Sequence, residues 1–383
     1  MLQLLFSLVE YPDKITYNIT EWGNTIEMKR EMIKKTKLLA AIIIVMICIV
    51  GGTLIYYFNG IGAVSSKDKE VVVEIPKGSS GNDIIQILND NGLIKSEFCA
   101  KLFLKMNSYD FKSNGYILNE NMSLSKMLSI LEGKDKQYIS NIKITVIDGQ
   151  TIPEFAQNVA KNTDLKYEDI MAKWNDKTYL QTLIKDYWFL TDDILQDGIY
   201  YPLEGYLAPE TYFLTSETAN IEAITKMMLD QTEKHLDKYK DKIENFQINN
   251  KKVTIHEFIT LASIVQRESP AHQEDRRMIT GVLINRLNKP MRLQSDVTVN
   301  YGNQVTKVDV TYNDLNSDSK YNTYRYDGLP LGPISAISTD VLKDTLNYKK
   351  NDYYFFFATK EQKVLYAKTF QKHQENVSKN KWY

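Results

Sequence analysis

An uncharged, strongly apolar run near the N-terminus constrains this chain more than any other feature. Residues 38–58, LLAAIIIVMICIVGGTLIYYF, contain no charged side chain and consist mainly of Leu, Ile, Val and Ala. As a helix they would span about 30 Å, which is the thickness of the hydrocarbon core of a membrane. The run therefore predicts one transmembrane helix, and the rest of the chain must fold outside the lipid.

A cleaved signal peptide is the alternative to a permanent anchor. Its apolar region would be shorter, and residues 51–57 stay apolar where a small-residue cleavage site would be expected. We therefore interpret residues 38–58 as an uncleaved anchor. Cationic residues crowd its N-terminal side, whereas its other flank carries no charge up to Ser66. The positive-inside rule then predicts a cytoplasmic segment 1–37 and an extracytoplasmic C-terminal part. The cationic residues are Lys29, Arg30, Lys34, Lys35 and Lys37.

The position of the natural start is a separate expectation. Residues 2–17 are apolar and aromatic with little helical period, and the chain after Met28 or Met32 already reads as an N-terminus. The initiator is therefore Met1, Met28 or Met32.

Composition excludes several classes of function. The chain has 383 residues, of which 43% are hydrophobic and 25% charged, as in ordinary globular proteins. The net charge is −1 and no basic stripe with interleaved aromatics occurs, so nucleic acid is not expected as a partner. Cys48 lies in the apolar run and Cys99 is alone outside it, so no intramolecular disulfide is available to the exported part.

No cofactor or metal site is predicted. The four histidines are scattered, and the segment beginning His256-Glu257 has Thr260 where a zinc protease helix needs its second histidine. Neither a nucleophile elbow nor a phosphate-binding loop occurs. The remaining chemistry is that of carboxylates and amides.

The exported part begins with strand and helix units. After a linker of residues 59–70, residues 71–75 predict a strand, and residues 82–91, 98–106 and 123–132 predict helices. Residues 142–146 predict a second strand, followed by a helix from Pro153. In both copies a glycine, Gly78 or Gly149, stands three residues after the last apolar position of the strand, which indicates a weak internal repeat.

Two capping boxes predict helix starts further along the chain. Thr151 and Glu154 begin one helix, and Thr254 and Glu257 begin another. On the second helix an apolar stripe predicts the buried face, and Glu268 continues that stripe, so it is expected to point into the fold. The stripe consists of Phe258, Leu261, Ala262 and Val265. The alternative is that Glu268 pairs with Arg267 or Arg276 at the surface.

The segment YPLEGYLAPETY places Glu204 between a Pro-Leu approach and a glycine, among aromatic and apolar residues. Apolar surroundings disfavour a charged carboxylate and can hold its proton to about pH 6. Glu204 could then act as a general acid. The alternative is a loop glutamate that caps a neighbouring amide.

Three further polar clusters follow Glu204 in equally tight settings. They are SIVQRE at 263–268, MRLQSD at 291–296, and YNTY at 321–324 with DGLPLGPI at 327–334. Together with the Glu204 segment they resemble the endolytic murein transglycosylases of the YceG-like family, in the same order, from about Ile142 to the C-terminus. The four motifs jointly make the resemblance specific.

The resemblance implies an α+β fold with a single N-terminal transmembrane helix, a small LysM-like α/β module at residues 71–136 and a larger α+β YceG-like catalytic domain at residues 141–383. It implies that Glu204 protonates the glycosidic oxygen of nascent peptidoglycan while the C6 hydroxyl of the sugar closes on the anomeric carbon. The product would carry a 1,6-anhydro end. Peptidoglycan glycan strands, the cytoplasmic membrane and peptidoglycan synthases are the implied partners. The implied substrate-binding residues are Glu268, Gln294, Asp296, Asn322 and Tyr324.

Two other functions fit the same residues. A conventional muramidase would use water and a second carboxylate, for which Asp296, Glu268 and Glu210 are the candidates. A wall-binding scaffold would bind glycan without cutting it. The module at residues 71–136 could likewise be a spacer without a ligand.

Overall fold

The computed structural model describes residues 12–140, 142–215, 218–269, 272–307 and 310–381. The chain divides into two compact units, residues 1–139 and 140–383. The first eleven residues of the predicted segment 1–37, including the candidate start Met1, lie outside the described residues. Both units mix helices with short antiparallel strands, so the predicted α+β class is confirmed.

The first helix, α1, runs over Pro12–Gly60. Its part Lys34–Gly60 is the one helix among the described residues that is long and apolar enough to cross a membrane. Large apolar side chains on it are exposed, for example Ile47 at 65% and Ile55 at 72%. Such exposure is costly in water and favourable in lipid, so this helix is compatible with a membrane anchor.

The rest of the first unit is built on the strand pair β1 (Glu70–Ile75) and β2 (Asn114–Asn119), which is antiparallel with Val73 opposite Tyr116. The helices are α2 (Gly81–Asp90), α3 (Glu97–Met106) and α4 (Leu124–Ile130). A serine caps the start of each helix, and apolar side chains such as Ile85 and Leu128 fill the core. The sequence predicted β1 and the three helices but not β2.

The second unit begins with β3 (Ile142–Thr145), which pairs antiparallel with β4 (Thr211–Leu214). Short hairpins are formed by β5 (Gln247–Ile248) with β6 (Lys251–Lys252) and by β7 (Phe355–Ala358) with β8 (Val364–Ala367). The helices are α5 (Ile152–Asn162), α6 (Tyr167–Trp174), α7 (Lys177–Asp186), α8 (Ile221–Asp237), α9 (Lys240–Glu244), α10 (Ile255–Glu268), α11 (Gln273–Leu287), α12 (Asp296–Gly302), α13 (Tyr312–Leu315), α14 (Thr339–Leu346) and α15 (Phe370–Asn380).

The weak internal repeat is visible in the backbone. In each unit the first strand leads through a glycine into a helix that begins with a capping-box pair. Gly78 and Gly149 have φ angles of 86° and 79°. Both therefore adopt the left-handed conformation that glycine tolerates best, which explains why a glycine stands in the turn after each strand.

Helix α10 is the central element of the second unit. The predicted capping box is confirmed, since the Glu257 amide donates to Thr254 Oγ1 at 3.1 Å and the Thr254 amide donates to Glu257 Oε2 at 2.7 Å. Residues 258–265 are all buried, so the helix is enclosed on every side rather than along one apolar stripe. The middle of α10 thus lies inside the unit, whereas residues 266–268 at its end are half-buried or exposed.

A buried ion pair connects α11 to α14. Asp344 is 1% exposed and accepts from Arg276 Nε at 2.7 Å and from Arg277 Nε at 3.0 Å. Removing one partner of a buried pair leaves an uncompensated charge in a medium of low polarity. This cluster therefore contributes strongly to holding the two helices together.

We expect Asp344→Asn to lower the free energy of unfolding of the second unit by about 3 kcal/mol, because Arg276 loses its buried counter-charge. Urea unfolding followed by tryptophan fluorescence measures this, since Trp174 and Trp188 lie in the same unit. Asp340→Asn is the matched control. Asp340 also faces Arg276 but its side chain is 76% exposed, so its loss should cost less than about 1 kcal/mol. Equal losses of unfolding free energy in the two variants would contradict the stabilising role of the buried Asp344.

Candidate active site

Glu204 sits in a tight turn that is pressed against another loop. Its amide donates to the Tyr201 carbonyl at 3.0 Å, and Gly205 follows with a φ of 80°. A Cβ on Gly205 would lie 2.6 Å from Cβ of Pro333, so only glycine fits this approach. The turn and the loop around Pro333 therefore fix each other.

The carboxyl group of Glu204 is almost completely buried. The residue is 2% exposed, and Oε2 accepts from the Ile152 amide at 3.1 Å and from the Tyr301 hydroxyl at 3.2 Å. Burial raises the pKa of Glu204 to about 8, against the opposing effect of those two hydrogen bonds. The sequence predicted the direction of this pKa shift, and the structure places the pKa higher than the predicted value near 6.

Aromatic rings make the surroundings of Glu204 apolar. The Tyr301 and Tyr321 ring centroids are 4.8 Å apart, and Tyr200 stacks on Tyr321 at 5.1 Å. The Tyr200 hydroxyl bonds to the Gly302 carbonyl at 3.0 Å, which fixes the cluster at the end of α12. These rings exclude water, which is why desolvation dominates the pKa of Glu204.

A groove with two adjoining arms crosses the surface here. The first, which we call the Tyr301 arm, has a volume of about 220 Å³. The second, the Asp296 arm, has a volume of about 550 Å³. Arg267, Val297 and Asn300 line both arms, so the two arms adjoin each other. Glu204 is covered by Tyr301 and does not itself line the groove. The Tyr301 arm is also lined by Thr151, Pro153, Glu154, Tyr201, Gln304, Val305, Thr306 and Ile334.

The Asp296 arm brings together four of the predicted binding residues: Glu268, Gln294, Asp296 and Tyr324. Ser295 Oγ donates to Glu268 Oε1 at 2.6 Å, and the Tyr324 hydroxyl donates to Asp296 Oδ1 at 2.7 Å. Burial and, less strongly, the nearby charge of Asp296 raise the pKa of Glu268 to about 7, while the Ser295 hydrogen bond opposes this. Glu268 forms no ion pair with Arg267 or Arg276 in the described structure.

Gln294 is exposed in the groove, whereas Asn322 is buried in a loop. Gln294 is exposed in the Asp296 arm with a φ of 48°, a conformation that is costly for a residue with a side chain and is found preferentially at functional sites. Asn322 is 1% exposed and donates to the carbonyls of Leu315 and Ser317 at 2.9 and 2.8 Å. Its Oδ1 accepts from the Tyr324 amide at 3.0 Å, so Asn322 shapes the loop that carries Tyr324.

Several residues of this site are not among those predicted from the sequence. Tyr301 stands five positions after Asp296 on the same short helix, so the motif at 291–296 could have directed attention to it. Ile152 contributes only a backbone amide, which no side-chain motif reveals. Phe356, Phe357 and Arg286 line the Asp296 arm from the C-terminal hairpin and α11, and no local pattern marks them. No cluster of metal-ligating side chains occurs among the residues that the structure describes.

Comparison with known proteins finds a matching family and similar sequences. The model of the YceG-like family matches residues 73–379, which includes most of the first unit beyond α1. An endolytic murein transglycosylase of Bacillus subtilis (strain 168) is 34% identical over 87% of this chain and 91% of its own length. One of Streptococcus pneumoniae serotype 2 is 33% identical over 82% of this chain, which spans 59% of that protein.

A solved structure extends the similarity to the fold. The 2.6 Å crystal structure of a yceG-like protein from Listeria monocytogenes matches with a TM-score of 0.58 and 33% identity. The match covers 81% of this chain and 100% of that one.

The raised pKa of Glu204 predicts how stability depends on pH. Its acid form is favoured in the folded state, so its stabilising contribution is complete below about pH 4.5 and is lost as the pH rises towards 8. Glu204→Gln removes the ionisable group and therefore removes this pH-dependent loss of stability. We expect the decline in unfolding free energy between pH 4.5 and 8 to be smaller in the variant by at least about 1.4 kcal/mol. Urea unfolding across this pH range measures it, and parallel pH profiles for the two proteins would refute it.

Proposed function

This chain belongs to the YceG-like family and is a lytic transglycosylase, and we propose that it cuts the MurNAc-GlcNAc β-1,4 bond within nascent peptidoglycan strands with Glu204 as general acid. The observation that carries the proposal is the burial of the Glu204 carboxyl group, which raises its pKa to about 8 and so favours its acid form at neutral pH. A proton donor of this kind is what departure of a sugar oxygen requires.

The hydrogen bonds of Glu204 suggest how the proton is presented. Oε2 already accepts from Ile152 and Tyr301, so the acidic proton resides on Oε1. Because Tyr301 covers the carboxyl group, glycan binding in the Tyr301 arm must displace this ring or the adjacent start of α5. Apo geometry in general acid catalysis is often completed only by the bound substrate.

The proposed reaction needs no water. Glu204 transfers its proton to the glycosidic oxygen as the bond from that oxygen to the anomeric carbon breaks. The C6 hydroxyl oxygen of the same MurNAc forms the new bond to that carbon and passes its proton to Glu204, which regenerates the acid. In between, the carboxylate is stabilised by the Oε2 donor that the glycan leaves in place, either the Ile152 amide at the positive end of α5 or the Tyr301 hydroxyl.

Glu204→Gln keeps size and hydrogen bonding but removes the transferable proton. We expect a loss of about 10² to 10⁴ in the rate of glycan cleavage, with glycan binding retained. Mass spectrometry of digested peptidoglycan measures both rate and product, because an anhydro end lacks the ~18 Da that hydrolysis adds. Glu257→Gln, which keeps the exposed capping box of α10, is the control and should retain wild-type activity.

The same measurement separates the alternatives. Glu268→Gln and Asp296→Asn should reduce activity less than Glu204→Gln if the C6 hydroxyl is the nucleophile. An equal loss at Asp296 together with hydrated products would identify a two-carboxylate muramidase. Binding of peptidoglycan without release of fragments would identify a scaffold, and near-normal activity of folded Glu204→Gln would overturn the acid role.

We also propose that α1 anchors the protein in the cytoplasmic membrane with its N-terminus in the cytosol. The cationic residues before Leu38 support this orientation. The unit that contains Glu204 is then extracytoplasmic, where nascent peptidoglycan is found. The resemblance further suggests peptidoglycan synthases as partners and a LysM-like, glycan-binding character for residues 71–136.

A reporter that is active only in the cytosol, fused after Tyr383, should be silent, because the positive-inside rule exports the C-terminus. The same reporter fused ahead of Met28 should be active, which controls for expression. An active C-terminal fusion would reverse the proposed topology and remove access to the substrate.

A further inference from the structure

A nearly buried arginine lines the Asp296 arm, and the mechanism above does not use it. Arg286 lies on α11 and is 7% exposed. A guanidinium group removed from water needs a hydrogen-bond acceptor for its N–H groups, so a partner is expected for each of its three nitrogens.

Backbone carbonyls hold one side of the guanidinium group. Nε donates to the Tyr354 carbonyl at 2.6 Å, and Nη1 donates to the carbonyls of Leu293 and Arg292 at 2.6 and 3.3 Å. The group also lies 5.0 Å from the centre of the Phe355 ring. These contacts fix the orientation of Arg286 before any ligand arrives.

The third nitrogen of the guanidinium group, Nη2, takes part in none of these hydrogen bonds. It donates to no acceptor in the parts of the chain that the structure describes, and Arg286 forms no ion pair with a described carboxylate. Glu268 and Asp296 share the arm, and the charge of Glu268 attracts that of Arg286. Glu268 nevertheless accepts its hydrogen bond from Ser295, and Asp296 accepts one from Tyr324. A fixed cationic edge on the wall of a groove suits an anionic oxygen.

We propose that the Asp296 arm binds a carboxylate of the peptide stems on the glycan strand, with Arg286 as the recognition residue. The inference rests on the proposed function, because it assumes that a peptidoglycan strand occupies the groove. The sugar backbone of that strand carries no charge, whereas its peptide stems do. With the cleavage site over the Tyr301 arm, a stem can enter the larger adjoining arm, where Phe356 and Phe357 offer an apolar wall.

The test uses the full chain in detergent micelles and three substrates. These are glycan strands with intact stems, strands whose stem carboxylates have been converted to amides, and strands stripped of their stems by an amidase whose freed lactyl carboxylates have then been converted to amides as well. We expect intact strands to be cleaved about 10-fold to 100-fold more efficiently, by kcat/KM, than either modified substrate, because a hydrogen bond to a charged group is lost.

A variant assigns this preference to Arg286. A lysine cannot donate to the backbone carbonyls and also present a second nitrogen to the groove, as the planar guanidinium group of Arg286 does. In Arg286→Lys the ratio of kcat/KM between intact and amidated strands should therefore fall to near one. Because the ratio compares two substrates on one protein, a reduced folded fraction cancels. Arg325→Lys is the matched control, since Arg325 is exposed and pairs with Asp318 outside the groove. It should keep the wild-type ratio.

The outcomes are distinct. Equal cleavage of the three substrates by the wild-type protein would overturn this inference and leave the proposed function intact. An unchanged ratio in Arg286→Lys would overturn the role of Arg286. Cleavage of none of the strands by the wild-type protein would instead refute the proposed function, and this inference with it.

Discussion

The burial of one carboxyl group organises the second unit. Glu204 is removed from water beneath Tyr301, and the Ile152 amide and the Tyr301 hydroxyl offset only part of the cost of ionising it there. Three segments that are distant in sequence must meet to build this environment: the turn after Tyr201, the start of α5 and the end of α12. A displacement of any one of them would admit water and lower the pKa of Glu204 towards that of a free glutamate.

Helix α10 explains how those segments converge. Its middle turns are enclosed, and polar groups between Ser263 and Arg267 bind the surrounding loops. Ser263 Oγ accepts from the Ile334 amide at 3.1 Å, and Arg267 Nη1 donates to the Gly149 carbonyl at 2.9 Å. The loop at 149–150 in turn pairs with Ala336 through two backbone hydrogen bonds. The loop that precedes α5 and the loop that presses on Gly205 are therefore fixed to the same helix.

The two arms of the groove have different physical characters. The Tyr301 arm lies over a dry, protonated carboxyl group, which suits proton transfer. The Asp296 arm contains carboxyl, hydroxyl and guanidinium groups that are held by one another or by the backbone, which suits recognition of a polar ligand. Glu268, with its pKa near 7, belongs to the polar groups of the Asp296 arm, and the hydrogen bond from Ser295 fixes the position of its carboxyl group. The separation allows binding groups to act without competing for the proton of Glu204.

The sequence by itself determined the features that depend on local pattern. The run at 38–58 predicted an apolar helix because length and lack of charge suffice, and the Thr254 and Glu257 pair predicted the start of α10 because a capping box is local chemistry. The Pro-Leu-Glu-Gly-Tyr segment indicated a raised pKa at Glu204. Only the tertiary structure decided what surrounds that glutamate, because Ile152 acts through its backbone and Tyr301 and Arg286 lie far away in sequence. It also decided that Asn322 supports a loop while Gln294 faces the groove, since burial is set by long-range packing that neither residue type encodes.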